Sequence, residues 1–376
     1  MAKKIKRMEF EKHKSTESEK ECMKKIEDLA AGLIRSIKKD ESPEMYIPIR
    51  GLANTNFDAK QQMLQLGDKK STRKYMNTAH TRKFMQTMLV AEFCYNHLLK
   101  EGVHTSIRDM YYGLLRTLPN SKINTLNDQT ESNQCAEDVE ISLDLIRENL
   151  NLIATPKGRV VGNAVIEDIG DTIDWSKMGS GGWAIPSNVD DIKFKEVSAD
   201  YILVIEKYAA FARLNEDKFW KKQNCVLFTP EGQSSRGLKR IVQRLSTEKK
   251  LPVYVCTDGD GYGWYIYSTL KYGSMALAHT SSRLATPKAQ FMGLTMDDIK
   301  NYDLEKYTIR AETVDLKRAK EIKAYPWFQK KEWQRQLDMA LSSQKKAEIE
   351  SLTSKGIRFL TTDYLPDKIE NKDFLP

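Results

Sequence analysis

The stretch Val253-Tyr254-Val255-Cys256-Thr257-Asp258-Gly259-Asp260-Gly261-Tyr262-Gly263 decides how this chain is read. Its first four residues are an apolar run bounded by turn residues, the pattern of a buried strand. Two acids one residue apart follow, with glycines interleaved. Glycine lets the backbone turn sharply, so Asp258 and Asp260 can face one way. Hard carboxylate oxygens in such a turn suit Mg²⁺, which binds through one or two carboxylates and keeps several waters. A lone Asp-x-Asp is more often a plain acidic surface turn, because Asp and Gly are ordinary turn residues. The flanking sequence decides against that here.

Upstream stand two more apolar runs, Tyr201–Ile205 and Cys225–Phe228, followed by helical stretches at Lys207–Trp220 and Ser234–Ser246. A third helix opens near Tyr262. Apolar strands alternating with helices predict a parallel α/β sheet, and in such sheets ligands sit beyond the carboxyl ends of the strands. Glu206 closes the first strand as Asp258 and Asp260 close the third, so three acids are expected on one edge. Like charges held that close call for a cation between them. In the helix at 234–246, Leu238, Ile241, Val242 and Leu245 point inward. Arg236, Lys239, Arg240 and Arg244 point outward, a stripe able to track a DNA backbone through phosphates or simply a solvated helix face. From Asp315 onward the sequence is charged and helical, with Trp327, Phe328, Trp333, Leu337 and Leu341 as packing residues.

The amino-terminal part reads differently. Residues 1–24 are dense in charge and their beginning is expected to be mobile. Met23, Ile26, Leu29, Ala30, Leu33, Ile34 and Ile37 then make one face of an amphipathic helix, and a short extended piece follows at Met45–Ile49. Helices are predicted over 78–100, after the N-cap pair Thr105-Ser106, and over 136–150. Leu152–Ala154 and Arg159–Val161 suggest a small hairpin around Pro156-Lys157-Gly158. Three helices followed by a β-wing is the order of a winged-helix DNA-binding module. In the helix after Ser106, Ile107, Met110, Tyr111, Leu114, Leu115 and Leu118 share one side. Tyr112 falls opposite, with Arg108 one turn before it and Arg116 one turn after. Two guanidiniums can hold a phosphate, and tyrosine is a side chain that forms covalent intermediates. The alternative is a surface tyrosine over arginine stems.

Composition narrows the classes. Lys and Arg exceed Asp and Glu by 60 to 52, a net charge of +8, which permits a polyanionic partner. The five cysteines are scattered without a Cys-x-x-Cys spacing, so a reducing compartment and no zinc site are expected. No apolar stretch reaches membrane-span length and the amino terminus lacks a signal peptide's apolar core, so a soluble intracellular protein is expected. No Gly-x-x-x-x-Gly-Lys-Ser/Thr loop occurs, so ATP would be handled elsewhere.

Arg108-Asp109-Met110-Tyr111-Tyr112 resembles the Arg-Asp-x-Tyr/Phe-Tyr signature shared by the meiotic double-strand-break transesterase and the topoisomerase VI A subunit. Val204-Ile205-Glu206-Lys207 and Asp258-Gly259-Asp260 resemble the Glu and Asp-x-Asp elements of a Toprim domain. Ile47-Pro48-Ile49-Arg50 with Asn54, Val161-Gly162-Asn163, Ile173-Asp174-Trp175, Met292-Gly293-Leu294 and Tyr364-Leu365-Pro366 sit in the family's order, so the likeness runs from about Met45 to the end. Gly261 departs from a frequent proline, which should loosen that turn. Glu231 departs from a frequent Lys or Gly, with either weaker DNA contact or added metal binding as the consequence.

The resemblance implies a protein of the α/β plus winged-helix class, with three parts: an amino-terminal helical segment at 1–70 that contacts a partner subunit, a winged-helix (CAP-like) DNA-binding domain at 71–160, and a Toprim domain with a helical carboxyl-terminal extension at 161–376. It implies the DNA-cleaving component of an ATP-dependent type II (IIB) DNA topoisomerase, which cuts and rejoins double-stranded DNA through a 5′-phosphotyrosine link. Tyr112 and Arg108 are then catalytic, Glu206, Asp258 and Asp260 hold Mg²⁺, and Arg116, Arg236, Lys239, Arg240 and Arg244 touch DNA. The implied assembly is a homodimer joined by an ATPase B subunit into an A2B2 heterotetramer, in the cytoplasm of a prokaryote and associated with its nucleoid. The helix at 22–37 is the surface expected to receive the B subunit. A transesterase that breaks DNA without strand passage, and a catalytically silent DNA-binding protein of the same fold, are the competing readings.

Overall fold

A computed structural model describes residues 14–376. Its contacts divide the chain into two compact units, one comprising the residues up to Ile49 with Asp68–Thr155, the other Arg50–Gly67 with Pro156–Pro376. Arg50–Gly67, read from sequence as part of the 1–70 segment, therefore belongs with the second unit. The reason is its antiparallel hairpin, Thr55–Asp58 with Met63–Leu66. Leu64 is buried in the second core, and Phe57 packs edge-on against Tyr272.

The first unit is helical. Helix Glu17–Lys38 opens on a capping box between Thr16 and Glu19. Cys22 and Ile26 enter a core with Val90, Leu98, Met110, Leu114 and Val139, while Leu33 joins Met45 and Phe84. Asn77 caps helix Thr78–Phe93, which runs into a wider turn at Cys94–Leu99. Ser106 caps helix Ile107–Leu114. The next helix covers Gln129–Ser142 rather than 136–150, because Asp128 supplies an N-cap to Glu131 well upstream of the apolar positions. Strands Glu44–Pro48 and Lys70–Lys74 pair antiparallel.

The hairpin expected at 152–161 does not form. Leu152–Ile153 pairs parallel with Thr105–Ser106, whereas Arg159–Gly162 pairs antiparallel with Cys225–Thr229 in the second unit's sheet. Gly158 has a left-handed φ of +90°, and a Cβ there would sit 2.8 Å from the Thr229 carbonyl oxygen. Lys157 donates its N–H to Ile185 and accepts from the Ser235 hydroxyl. Pro156-Lys157-Gly158 is thus bound into the second unit and does not turn back on Leu152–Ile153.

The second unit is built on a six-stranded sheet in the order 183–184, 159–162, 225–229, 201–205, 253–256, 290–291. The last four run parallel, as the apolar runs predicted, and Tyr201–Ile205 and Cys225–Thr229 are buried along their whole length. Residues 164–197 add a three-stranded antiparallel sheet, 193–197, 164–168 and 171–174, which sequence reading missed. The carboxyl-terminal stretch is helical as expected, with Trp327, Phe328, Trp333 and Leu337 in the core.

Candidate functional site

Tyr112 stands on the open side of a short, firmly rooted helix. Met110 is fully buried and Leu114 nearly so, while the Tyr112 side chain is 58% exposed. Tyr111 is half-buried against the helical core, its ring centroid 5.1 Å from that of Tyr112. Helical phase therefore separated the two tyrosines correctly. Arg108 is exposed one turn earlier. Arg116 is not one turn later on the same helix, because the helix ends at Leu114. Thr125 ends it: its hydroxyl donates to the Leu114 carbonyl and accepts from the Arg116 N–H. Asp109 receives the Ser106 hydroxyl and so belongs to the helix cap.

The acids lie in the second unit. Ile205 is in register with Cys256, and the Glu206 N–H donates to the Cys256 carbonyl, so Glu206 and Asp258 leave the sheet side by side. The Asp258 N–H donates to Glu206 Oε2 at 3.3 Å. Asp260 is the N-cap of helix Gly261–Lys271, accepting from the Gly263 N–H at 2.8 Å. Gly263 allows this closeness, since a Cβ there would lie 2.4 Å from the Asp258 carbonyl oxygen. Gly261, where a proline was the expected alternative, is a point of close packing. Helix Thr313–Lys323 closes on it so far that a Cβ would meet the Ala319 nitrogen at 2.9 Å.

Electrostatics at this edge are strained. Burial, followed by the neighbouring Asp258 charge, pushes Glu206 up to about 7. Burial pushes Asp258 up to about 6 and raises Asp260 as well. The three acids do not form a finished ligand set: among the described residues, no three His, Cys, Asp or Glu side chains are grouped to hold a metal ion. The reason is visible in their partners. Asp258 Oδ2 pairs with Lys207 Nζ at 3.0 Å, Asp258 Oδ1 accepts the Ile349 N–H at 2.8 Å, and Asp260 turns to its cap. The donor chemistry nevertheless fits a hard divalent cation. Desolvated carboxylates that repel one another gain most from one.

Sequence reading missed Lys207 as a member of this edge, and with it the segment Ala347–Glu350. Gly259 and Ala347 exchange backbone hydrogen bonds, which brings Glu348 and Glu350 to Lys207 at 3.1 and 2.7 Å. Only the adjacency of Lys207 to Glu206 was available as a signal. Glu231, whose role the sequence left open, pairs with Arg159 at 2.8 Å.

The outward basic stripe is not observed. Lys239 and Arg244 are buried, and burial, then Arg236, lowers Lys239 to about 8. Arg240 pairs with Asp190 at 2.6 Å, and Arg244 donates to the Val189 carbonyl while lying over the Phe194 ring. Segment 186–190 covers this face, so closely that a Cβ on Gly237 would be 2.2 Å from the Pro186 carbonyl oxygen. An intervening layer that sequence reading did not foresee turned a solvent face into an interior one. Arg236 is half-buried, and Arg116 is exposed.

Comparison with known proteins places this arrangement in a class. Residues 82–152 match the family described as type IIB DNA topoisomerase. Residues 201–369 match the Toprim domain common to Spo11 and the topoisomerase 6 A subunit, and residues 157–198 the all-beta domain of the DNA topoisomerase VI alpha subunit. The last of these contains the three-stranded sheet described above. Proteins named as the A subunit of type 2 DNA topoisomerase 6 are similar over almost the whole chain. The one from Pyrococcus abyssi is 44% identical, covering 97% of this chain and 98% of its own. Those from Hyperthermus butylicus (41%, 96% and 97%) and Methanocaldococcus jannaschii (34%, 93% and 94%) agree. The chain belongs to the family of topoisomerase VI A subunits, the DNA-cleaving and rejoining subunits of type IIB topoisomerases. Membership brings DNA as substrate and a B-subunit partner. No helix among the described residues is long and apolar enough to cross a membrane.

Proposed function

We propose that Tyr112 is the nucleophile of the cleavage reaction. Its phenolic oxygen attacks a backbone phosphorus, a P–O(Tyr112) bond forms, and the 3′ oxygen leaves with a proton, so the chain is linked to the DNA 5′ end. Attack by that 3′ hydroxyl reverses the step and frees the tyrosine. Arg108 orients the phosphate and offsets its charge. The observation that carries this reading is the exposed Tyr112 ring on a helix anchored by Met110 and Leu114, with exposed Arg108 one turn away. Around it, helices 78–93, 107–114 and 129–142 with the strand pair 105–106 and 152–153 serve as a winged-helix type of DNA-binding module, ending at Thr155 and not at 160 as read from the sequence.

Glu206, Asp258 and Asp260 would hold Mg²⁺ in the Toprim part, within residues 161–376. When bound, the cation stabilises negative charge on the scissile phosphate or a neighbouring one. Tyr112 and these acids belong to different compact units; the assembly in this proposal is a homodimer whose two sites each combine residues of both protomers, as the family resemblance implies, with ATPase B subunits completing A2B2. Helix Glu17–Lys38 is the docking surface for the B subunit. Its buried side is occupied by its own core, and Ile34 and Ile37, 52% and 58% exposed, are the residues left for a partner. The wider expectation of a prokaryotic cytoplasm and nucleoid belongs to the same proposal.

Cleavage of supercoiled plasmid by the reconstituted complex, followed by denaturation to trap covalent adducts, tests the nucleophile. Tyr112→Phe abolishes adducts while leaving folding and DNA binding intact, and Tyr111→Phe retains them. Adducts from the Tyr112 variant, with none from the Tyr111 variant, would refute the assignment.

A further inference from the structure

Lys207 sets its ammonium against Asp258, one of the three acids at this edge. Its ammonium lies 3.0 Å from Asp258 Oδ2, and on its other side 3.1 Å from Glu348 and 2.7 Å from Glu350. The Lys207 and Asp258 side chains are only 24% and 11% exposed, while Glu348 and Glu350 are 47% and 44% exposed. The second Asp258 oxygen is fixed by the Ile349 N–H, between those two glutamates in sequence. The short segment Ala347–Glu350 therefore does two things. Its backbone holds Asp258 in place, and its side chains offer Lys207 an alternative to Asp258.

An ammonium and a divalent cation on the same carboxylate oxygen repel and exclude one another. A lysine with no other partner would make that exclusion costly, because it would be left charged and half-buried. Glu348 and Glu350 remove this cost: they already bind Lys207, and they reach into solvent, where their geometry can adjust.

We propose that Lys207 is a placeholder at the divalent-cation site, neutralising Asp258 when no cation is present and withdrawing to Glu348 and Glu350 when one enters. The acidic pair at 348 and 350 thereby sets how strongly the site takes up its cation. Lys207 acts through Asp258 and is a positioning residue. This inference rests on the reading that Glu206, Asp258 and Asp260 bind a divalent cation.

The test is a Mn²⁺ titration of the full-length purified chain, read by the electron paramagnetic resonance signal of free Mn²⁺. Melting curves in chelator check that each variant is folded. Lys207→Met binds Mn²⁺ about tenfold tighter, the size expected for removing a partly buried competing charge. The double variant Glu348→Gln/Glu350→Gln binds several-fold weaker, because Lys207 then stays on Asp258. Adding Lys207→Met to the double variant restores tight binding, and the glutamate effect fades in that background. Weaker or unchanged binding by Lys207→Met overturns the placeholder, since a purely structural lysine would give that result. An equal loss from the glutamate changes with and without Lys207 also overturns it, showing a plain effect of nearby charge. No Mn²⁺ binding by the unmodified chain would remove the metal reading itself, a separate failure.

Discussion

Asp258 is asked to do two jobs, and two substitutions separate them. Its Oδ1 accepts a hydrogen bond from the Ile349 N–H, a residue only 2% exposed, and its Oδ2 faces Lys207. Asp258→Ala removes both oxygens and strands the buried Ile349 donor, at a cost of about 1–3 kcal/mol. In a unit of this size 1 kcal/mol moves the melting temperature by about 2–4 °C, so a fall of about 2–12 °C is expected. Asp258→Asn keeps an acceptor for Ile349. It loses the pairing with Lys207, but Lys207 retains Glu348 and Glu350, and the repulsion that raises Glu206 is relieved. Its stability should stay within about 1 kcal/mol of native. Calorimetry in chelator measures this, and plasmid cleavage with Mg²⁺ measures function. Both variants should lose cleavage by about a hundredfold or more, because neither presents a carboxylate to the cation. If Asp258→Asn melts as low as Asp258→Ala, the charge pair with Lys207 and not the Ile349 hydrogen bond stabilises the edge. If Asp258→Ala melts like the native protein, the Ile349 donor finds another partner and the reasoning fails.

Gly263→Ala would force a methyl to within 2.4 Å of the Asp258 carbonyl oxygen, and backbone atoms there have little room to give. A loss of about 1–3 kcal/mol and impaired cleavage are expected together; native melting and activity would show that the turn yields more easily than this contact implies. Glu206 gives a pH signature in chelator. Its folded value of about 7 lies above its ordinary 4.5, so the stability it contributes is complete below about 4.5 and lost as pH rises through 7. The melting temperature of native protein minus that of Glu206→Gln should therefore fall across that window, and a flat or rising difference would contradict the burial argument. For the B-subunit surface, deleting the whole helix is a poor test, because Cys22, Ile26 and Leu33 cover the unit's own core. Ile34→Asp with Ile37→Asp should instead abolish ATP-dependent relaxation in the reconstituted complex while this chain still binds DNA, and full relaxation would move the docking surface elsewhere.

What the sequence disclosed, and what it hid, follows the range of the interactions concerned. Apolar runs such as Tyr201–Ile205 announce a buried parallel strand from a few adjacent residues, and the phase of Ile107–Leu114 separates Tyr111 from Tyr112 within two turns. Both depend on a few neighbouring residues, and both were legible. The burial of Lys239 and Arg244 depends on segment 186–190, some fifty residues away and in a loop without periodicity. The pairing of Arg159–Gly162 depends on Cys225–Thr229 in the same manner. A basic stripe and a short hairpin were reasonable local readings that distant packing overrode. Residues 164–174 carried a local signal that went unread: Val165, Ile166 and Ile173 flank the turn Asp168-Ile169-Gly170-Asp171 of a hairpin.

The acidic edge itself explains why its chemistry was half visible. Asp258-Gly259-Asp260 is conspicuous because glycines are needed wherever chain elements approach one another this closely. Gly261 meets helix Thr313–Lys323 and Gly263 meets the Asp258 backbone. These contacts fix where Asp258 and Asp260 leave the backbone, while their side chains are committed to a lysine, a buried N–H and a helix cap. Such a site is rigid in its backbone and unsatisfied in its charges: burial raises the proton affinity of all three acids, and Lys207 relieves only one of them directly. Local rules of charge pairing are commonly broken where function requires it. On the proposed reading, a protein that cuts both strands of DNA gains from a site of this kind, because carboxylates left short of charge partners bind an arriving cation the more strongly.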